Sequence, residues 1–250
     1  MNHLLFIKIF SGIWMLLIAV GPGMLPFAPF NTAGAETASQ EAEVRQSRKK
    51  AISAKSLVSL EPQRAVFKVT QGKGEGRHIG MTMEPLQNGK EQYRLTFEGL
   101  YRLYISRKPD GSVHGNCLEL IEKNKRIRFK PDLELIPAMT TTDQHSRATG
   151  CATFYDLESG EQTNTGSYLY VYEGLSRTTL ETPAGTIEGH LFEYSFQIDL
   201  KYSKVTLDLE NGWSKNRDLV YWRTKTTVEK LGLFGETTFR SMALLEKEPE

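Results

Sequence analysis

The sequence is poor in the residue types that most directly announce a reaction. Its 250 residues include 2 cysteines and 5 histidines. Two cysteines fall far short of a zinc site, which needs four ligands at suitable spacing. His78, His114, His145 and His190 are scattered, and none forms an HExxH or a paired-ligand spacing. His114 and Cys117 are a lone pair of ligand types, and a surface or strand histidine is the simpler reading. No G-x-S-x-G elbow occurs. Asp143, His145 and Ser146 stand close in the chain, but triad partners are normally brought together from separate segments, so this stretch reads as a polar loop. Glu181, Glu188, Glu193, Asp199, Asp208 and Glu210 lie on or beside strand faces that meet water. The carboxylate separation that sugar hydrolysis requires is not legible in a sequence. Gly72, Gly74 and Gly76 form a turn, without the strand-to-helix setting of a dinucleotide loop or the Lys-Ser/Thr of a phosphate loop. These absences predict a protein that is not an enzyme and carries no metal or cofactor.

An excess of charge of one sign is missing too. The net charge is +1, with 24% charged residues, which argues against nucleic acid, since phosphate binding needs a concentrated basic surface. No apolar run reaches the roughly 20 residues of a membrane helix. Residues 9–20 (IFSGIWMLLIAV) follow Lys8, and Ala33-Gly34-Ala35 is an A-x-A cleavage pattern. Residues 1–35 therefore read as a signal peptide. The long gap from Gly21 to Thr32 leaves an uncleaved N-terminal anchor as the alternative. Absence of cysteine near the site excludes a lipoprotein anchor. The cleaved chain is expected to be soluble, periplasmic and without a stable membrane span. In that oxidising compartment the even pair Cys117 and Cys151 predicts one disulfide, with two buried free thiols as the alternative.

What the chain does have is alternation. In residues 180–200 (LETPAGTIEGHLFEYSFQIDL), Phe192, Tyr194, Phe196, Ile198 and Leu200 share one parity. Glu193, Ser195, Gln197 and Asp199 share the other. A period of two means a strand with one buried face. The same code recurs from residue 62 to 247, which reads as a single β domain with ten or more strands. Residues 91–106 put Tyr93, Leu95, Phe97, Tyr101, Leu103 and Ile105 on one parity, with Gly99 permitting a bend. Read as one strand of about 45 Å at 3.3 Å per residue, they suit a tall, curved sheet. Asn88-Gly89 and Asn211-Gly212 are hairpin-turn signals. Pro131 and Pro137 make residues 129–139 an edge or crossing segment. Residues 36–61 read as a polar helical linker. Val44, Ala51, Ile52, Ala54, Leu57 and Val58 recur at roughly helical spacing, and its basic residues form a solvated face.

The segment RFKPDLELIPAM and the later ETPAGTIEGHLFEY resemble a family of exported bacterial proteins of unknown function. That family carries a y-P-l-x-l-l-P segment and a P-A-G-T-F turn-strand. Pro131, Leu133, Leu135, Ile136 and Pro137 match the first motif and Thr182 to Ile187 the second, with Ile187 where Phe is usual. The start, SLEPQRAVFKV, is similar to the entry strand of cell-envelope integrity proteins with a spiral β fold. Both resemblances imply a strongly curved antiparallel meander, a half-barrel or β-spiral similar to the half-barrel of lipoprotein carriers. With the N-terminal segment, the expected fold is all-β with a short helix. The expected function is binding, without catalysis, of a lipid or other apolar envelope molecule. The alternative is an envelope-integrity protein whose concave face holds a peptide, a protein segment or its own N-terminal helix. Tyr93, Phe97, Tyr101, Tyr170, Phe192, Tyr194, Phe196 and Trp222 are the candidate ligand-lining residues, because Tyr and Trp combine an apolar body with a polar handle.

Overall fold

In the computed structural model, residues 51–86, 91–230 and 234–247 are described, and all lie within one compact unit. In chain order the strands are β1 (Ile52–Ser53), β2 (Gln63–Gly72), β3 (His78–Pro85), β4 (Gln92–Phe97), β5 (Tyr101–Arg107), β6 (Val113–Leu120) and β7 (Lys125–Ile136). They continue as β8 (Met139–Thr140), β9 (Ser146–Asp156), β10 (Gln162–Thr182), β11 (Gly185–Leu200), β12 (Ser203–Ser214), β13 (Leu219–Lys230) and β14 (Phe234–Lys247). Twelve of these close into an antiparallel barrel; β1 and β8 pair separately.

The chain is all-β, as its alternation predicts, but the expected half-barrel is wrong. The circuit is sealed by β14 against β2, with Met242 opposite Val69 and Leu244 opposite Phe67. That seam joins the two ends of the domain. Closure removes both open sheet edges, which would otherwise offer unpaired backbone groups to another chain.

Period-two alternation becomes an inside and an outside. Phe67, Met81, Phe97, Tyr168, Phe192 and Trp222 point inward and are buried. Outside, ion pairs stand directly across the ladders. Arg94 meets Glu84 at 2.8 Å, and Arg223 meets Glu210 at 2.9 Å. Glu119 is clamped between Arg102 at 3.1 Å and Arg126 at 2.9 Å on its two neighbouring strands. A wall charged outside and apolar inside is the reverse of a membrane-spanning barrel. Among the described residues no helix is long and apolar enough to cross a membrane.

Three local expectations need correction. Residues 91–106 are not one tall strand: Gly99, at φ +70°, turns the chain between β4 and β5, and Phe97 pairs with Tyr101 across the hairpin. Asn211 and Gly212 are not a turn either; they sit within β12, and the chain reverses only after Ser214. Gly212 is needed there because a Cβ would strike the Leu180 side chain and Tyr221. Within the described part of the expected helical linker, the helix is a single turn, Ala54–Leu57, capped by the Ser53 hydroxyl. The signal peptide, residues 36–50 of the expected linker and the Asn88-Gly89 turn lie outside the described residues.

The proline segment is half an edge. Lys130 still pairs with Cys151 on β9, but beyond Pro131 β7 keeps only its β6 partner. Tyrosines from β10 reach over to cover that exposed backbone. The Tyr168 hydroxyl donates to the Pro131 carbonyl at 2.8 Å, and Tyr170 donates to Leu135 at 3.3 Å.

Past a bulge between Tyr172 and Gly174, the β10–β11 hairpin continues as an arm over the outer wall. Leu180 lies on Gly212 and Tyr221, and the Ala184 amide donates to the Leu244 carbonyl at 3.1 Å.

Candidate ligand site in the barrel interior

Eight strands give a barrel interior that side chains just fill; twelve give a wider one. Here the extra width is taken up by rings. The Phe97 ring lies tilted at 5.5 Å from Trp222, and the Tyr101 ring, also tilted, at 5.7 Å from the same indole. Phe129, Tyr168 and Phe196 form a second cluster with centroids 5.3–5.9 Å apart. Tyr170, Tyr172, Phe192 and Tyr194 make a third, linked at 5.7–6.5 Å. Seven of the eight predicted lining residues are therefore buried inside the barrel: Phe97, Tyr101, Tyr170, Phe192, Tyr194, Phe196 and Trp222. Tyr93 is half-buried.

Between the first and third clusters a cavity of about 40 Å³ remains. Met83, Leu95, Ile105 and Val113 form one side, with Tyr194, Leu209, Asn211, Trp213 and Trp222 opposite. One boundary is not barrel wall at all. Val58 and Leu60 complete the lining, from the segment that follows the helical turn. Ala54, Leu57, Val58 and Leu60 are all buried. Sequence reading placed this segment in a linker; instead it stops one end of the barrel. Its apolar residues were visible, but what they would pack against was not.

The stopper is tied at several points. The Ala54 amide donates to Ala138, and β1 pairs with β8 through Ile52 and Thr140. Arg107 donates to the Val58 carbonyl at 3.0 Å, and Arg217 to the Lys55 carbonyl at 3.2 Å. The Ser59 amide donates to the Arg217 carbonyl at 3.0 Å. At the other end, Arg240 on β14 meets Glu122 at 3.2 Å, beside Lys73. Burial pushes the Glu122 carboxyl up, but the Lys73 hydrogen bond and the Arg240 charge outweigh it and hold the group below its ordinary range.

The inward polar atoms divide into two sets. Tyr168 and Tyr170 donate to β7 carbonyls, and the Tyr172 hydroxyl lies 2.9 Å from the Thr140 hydroxyl. The second set is without hydrogen-bond partners: the hydroxyls of Tyr101 and Tyr194 and the indole nitrogen of Trp222. The Asn211 amide lies near Tyr194, but the well-formed bond to its oxygen comes from Trp213 at 2.8 Å. Burial pushes the hydroxyls of Tyr101, Tyr170 and Tyr194 well above the usual phenol range, so all three are protonated. An unpaired buried polar group costs about 1–3 kcal/mol, and here the Trp222 indole is one of three, with the hydroxyls of Tyr101 and Tyr194.

The expected disulfide is absent. Both cysteines are free thiols on the outer wall, and Cys151 is exposed. Cys117 faces Arg128 and Cys151 faces Lys130, so β7 runs between them. Two strand spacings are roughly 9–10 Å, beyond the ~7 Å that a bridge spans. Burial pushes the Cys117 thiol up, away from reactivity.

Among the described residues, no three His, Cys, Asp or Glu side chains gather as metal ligands. Asp143 and His145 are exposed in the loop before β9. A constellation the sequence reading missed joins Asp110, Ser112 and His114. The Ser112 hydroxyl donates to Asp110 at 2.7 Å and lies 2.9 Å from His114 Nε2. Serine, not histidine, is the central member, and Ser112 is fully buried. The trio secures the β5–β6 turn. No protein-family model, curated protein or solved structure matches the chain.

Proposed function

We propose that this protein is an exported, periplasmic, non-catalytic binding protein for a lipid or other apolar envelope molecule, and that the ligand enters the barrel where Val58 and Leu60 now sit. The supporting observation is the apolar cavity closed by a separate segment of chain rather than by the barrel wall. As it stands, about 40 Å³ is far below the roughly 300 Å³ of a small ligand pocket. A bound chain must therefore take the place of the stopper.

The magnitudes allow that exchange. Burying Leu57, Val58 and Leu60 stabilises the closed state by roughly 1.5–3 kcal/mol each. An acyl chain that buries about a dozen methylenes at ~0.8 kcal/mol apiece gains about 10 kcal/mol. The chain wins by a few kcal/mol before the cost of ordering it. Native mass spectrometry of the protein taken from the periplasm is the test. A co-purifying apolar molecule is expected; repeatedly ligand-free spectra would count against the reading.

A second reading is favoured by one observation: the occupant of the barrel end is a peptide. The Ile52–Thr140 pairing and the seated side chains of residues 54–60 form a ready mode of strand addition. An envelope protein presenting a similar apolar segment would compete for the same place. Release of residues 52–60 by a peptide, with no lipid found in the spectra, would favour this reading.

A further inference from the structure

The proposed ligand site has a chemical preference written into its deepest part. This inference rests on the apolar-binding reading and specifies it further. Trp222, Tyr194 and Asn211 line the cavity together with aliphatic side chains. Trp222 lies directly opposite Asn211 across the β12–β13 ladder. Its indole nitrogen is buried and has no partner, and neither has the hydroxyl of Tyr101, whose ring lies 5.7 Å from the indole; the Tyr194 hydroxyl has the Asn211 amide near it, a donor, and no acceptor. The chain satisfies comparable groups elsewhere: Tyr168, Tyr170 and Trp213 all have acceptors inside the same barrel. An indole N–H only donates, and a neutral phenol readily donates. What is missing is an acceptor.

We infer that the ligand is a long-chain molecule carrying a neutral hydrogen-bond acceptor, of the ester or ketone class, which Trp222 and Tyr194 receive inside the barrel. The acceptor is neutral because, among the described residues, no cation lines the cavity beside Trp222 and Tyr194; Arg107 stands at the stopper, on the Val58 carbonyl, and not beside the indole. Arg240, the cation whose charge reaches Tyr101, is already paired with Glu122. An ionised carboxylate would be buried uncompensated, at a cost far above that of a carbonyl. The aliphatic remainder occupies the space of Val58 and Leu60. A plain hydrocarbon of equal length fits that space but leaves the indole and phenol unpaired.

The experiment titrates the full mature chain with three probes of one chain length: an alkane, its methyl ester and its ionised fatty acid. Affinity is read by calorimetry, and each titration is repeated with W222F, which keeps an aromatic ring and removes the donor. The ester is expected to bind about tenfold more tightly than the alkane and more tightly than the carboxylate. W222F should bring the ester's affinity down to that of the alkane measured on the same variant. Equal affinity for alkane and ester, unaltered by W222F, would overturn the inference, assign the indole to a buried water, and leave the apolar-binding reading standing. Carboxylate binding tighter than ester would also overturn it. Binding of none of the three would remove both the inference and the reading beneath it.

Discussion

Phe97 on β4 and Trp222 on β13 are four strands apart around the wall, yet their ring centroids are 5.5 Å apart. The barrel is therefore flattened at this level, and its two sides touch through aromatic rings. Phe97→Ala would open a cavity at that contact. A loss of about 3–5 kcal/mol is expected for a fully buried phenylalanine, measured by urea unfolding of the protein. A loss below about 1 kcal/mol would mean that the walls do not meet there.

The segment that stops the barrel should open more readily than the barrel itself. Arg107 and Arg217 each hold one of its carbonyls. The double substitution Arg107→Ala with Arg217→Ala should speed hydrogen exchange at the amides of residues 55–60 by tenfold or more. Exchange in β11 and β12 should not change. Equal acceleration throughout would show that the segment and barrel unfold as one unit.

Thiol chemistry separates the two cysteines. Two free thiols per chain are expected after denaturation without reductant. In the native protein Cys151 should react promptly and Cys117 slowly, because one is exposed and the other is half-buried with its thiol pushed up. Cys117→Ser should leave the melting temperature nearly unaltered. One unreactive pair, released only by reductant, would contradict the strand register.

Acid should destabilise the fold in two stages. Burial lowers the His114 and His190 pKa values below the ordinary histidine value of 6.5. The unfolded chain then binds protons first as pH falls through 6.5, so stability drops from there down to the folded-state values. Glu122 behaves as a depressed carboxylate. Its contribution is present above its unfolded value near 4.5 and disappears as pH falls through its lower folded value. Melting temperature should decline from pH 7 to 5.5, and the double variant His114→Gln, His190→Gln should flatten that first slope.

Much of the wall was legible in the sequence because each strand carries its own alternation. Phe192, Tyr194, Phe196 and Ile198 face inward as their parity demands. Closure was not legible, because Met242 and Val69 announce nothing about each other across 170 residues of chain. Gly99 looked like a bend and proved to be a turn: a glycine at positive φ inside an alternating run keeps the parity on both sides. Asn211-Gly212 carried turn chemistry that long-range contacts overrode, since Leu180 needs the space above Gly212. Aromatic richness was visible too. Whether rings line a groove or fill one another's gaps depends on barrel width, which no local pattern encodes. The stopper escaped notice for a related reason: seven residues of modest apolarity reveal their role only once the opening they fill is known.

On the proposed binding function, an apolar chain occupies the interior beside Trp213 and Trp222. Mid-chain brominated long-chain methyl ester, titrated into the protein while tryptophan emission is followed, would report such a chain. Bromine quenches on contact, and both tryptophans of the described residues line the cavity. Saturable quenching of most of the emission is the expected result. Emission that stays constant while mass spectrometry shows the ester bound would place the ligand outside the barrel interior.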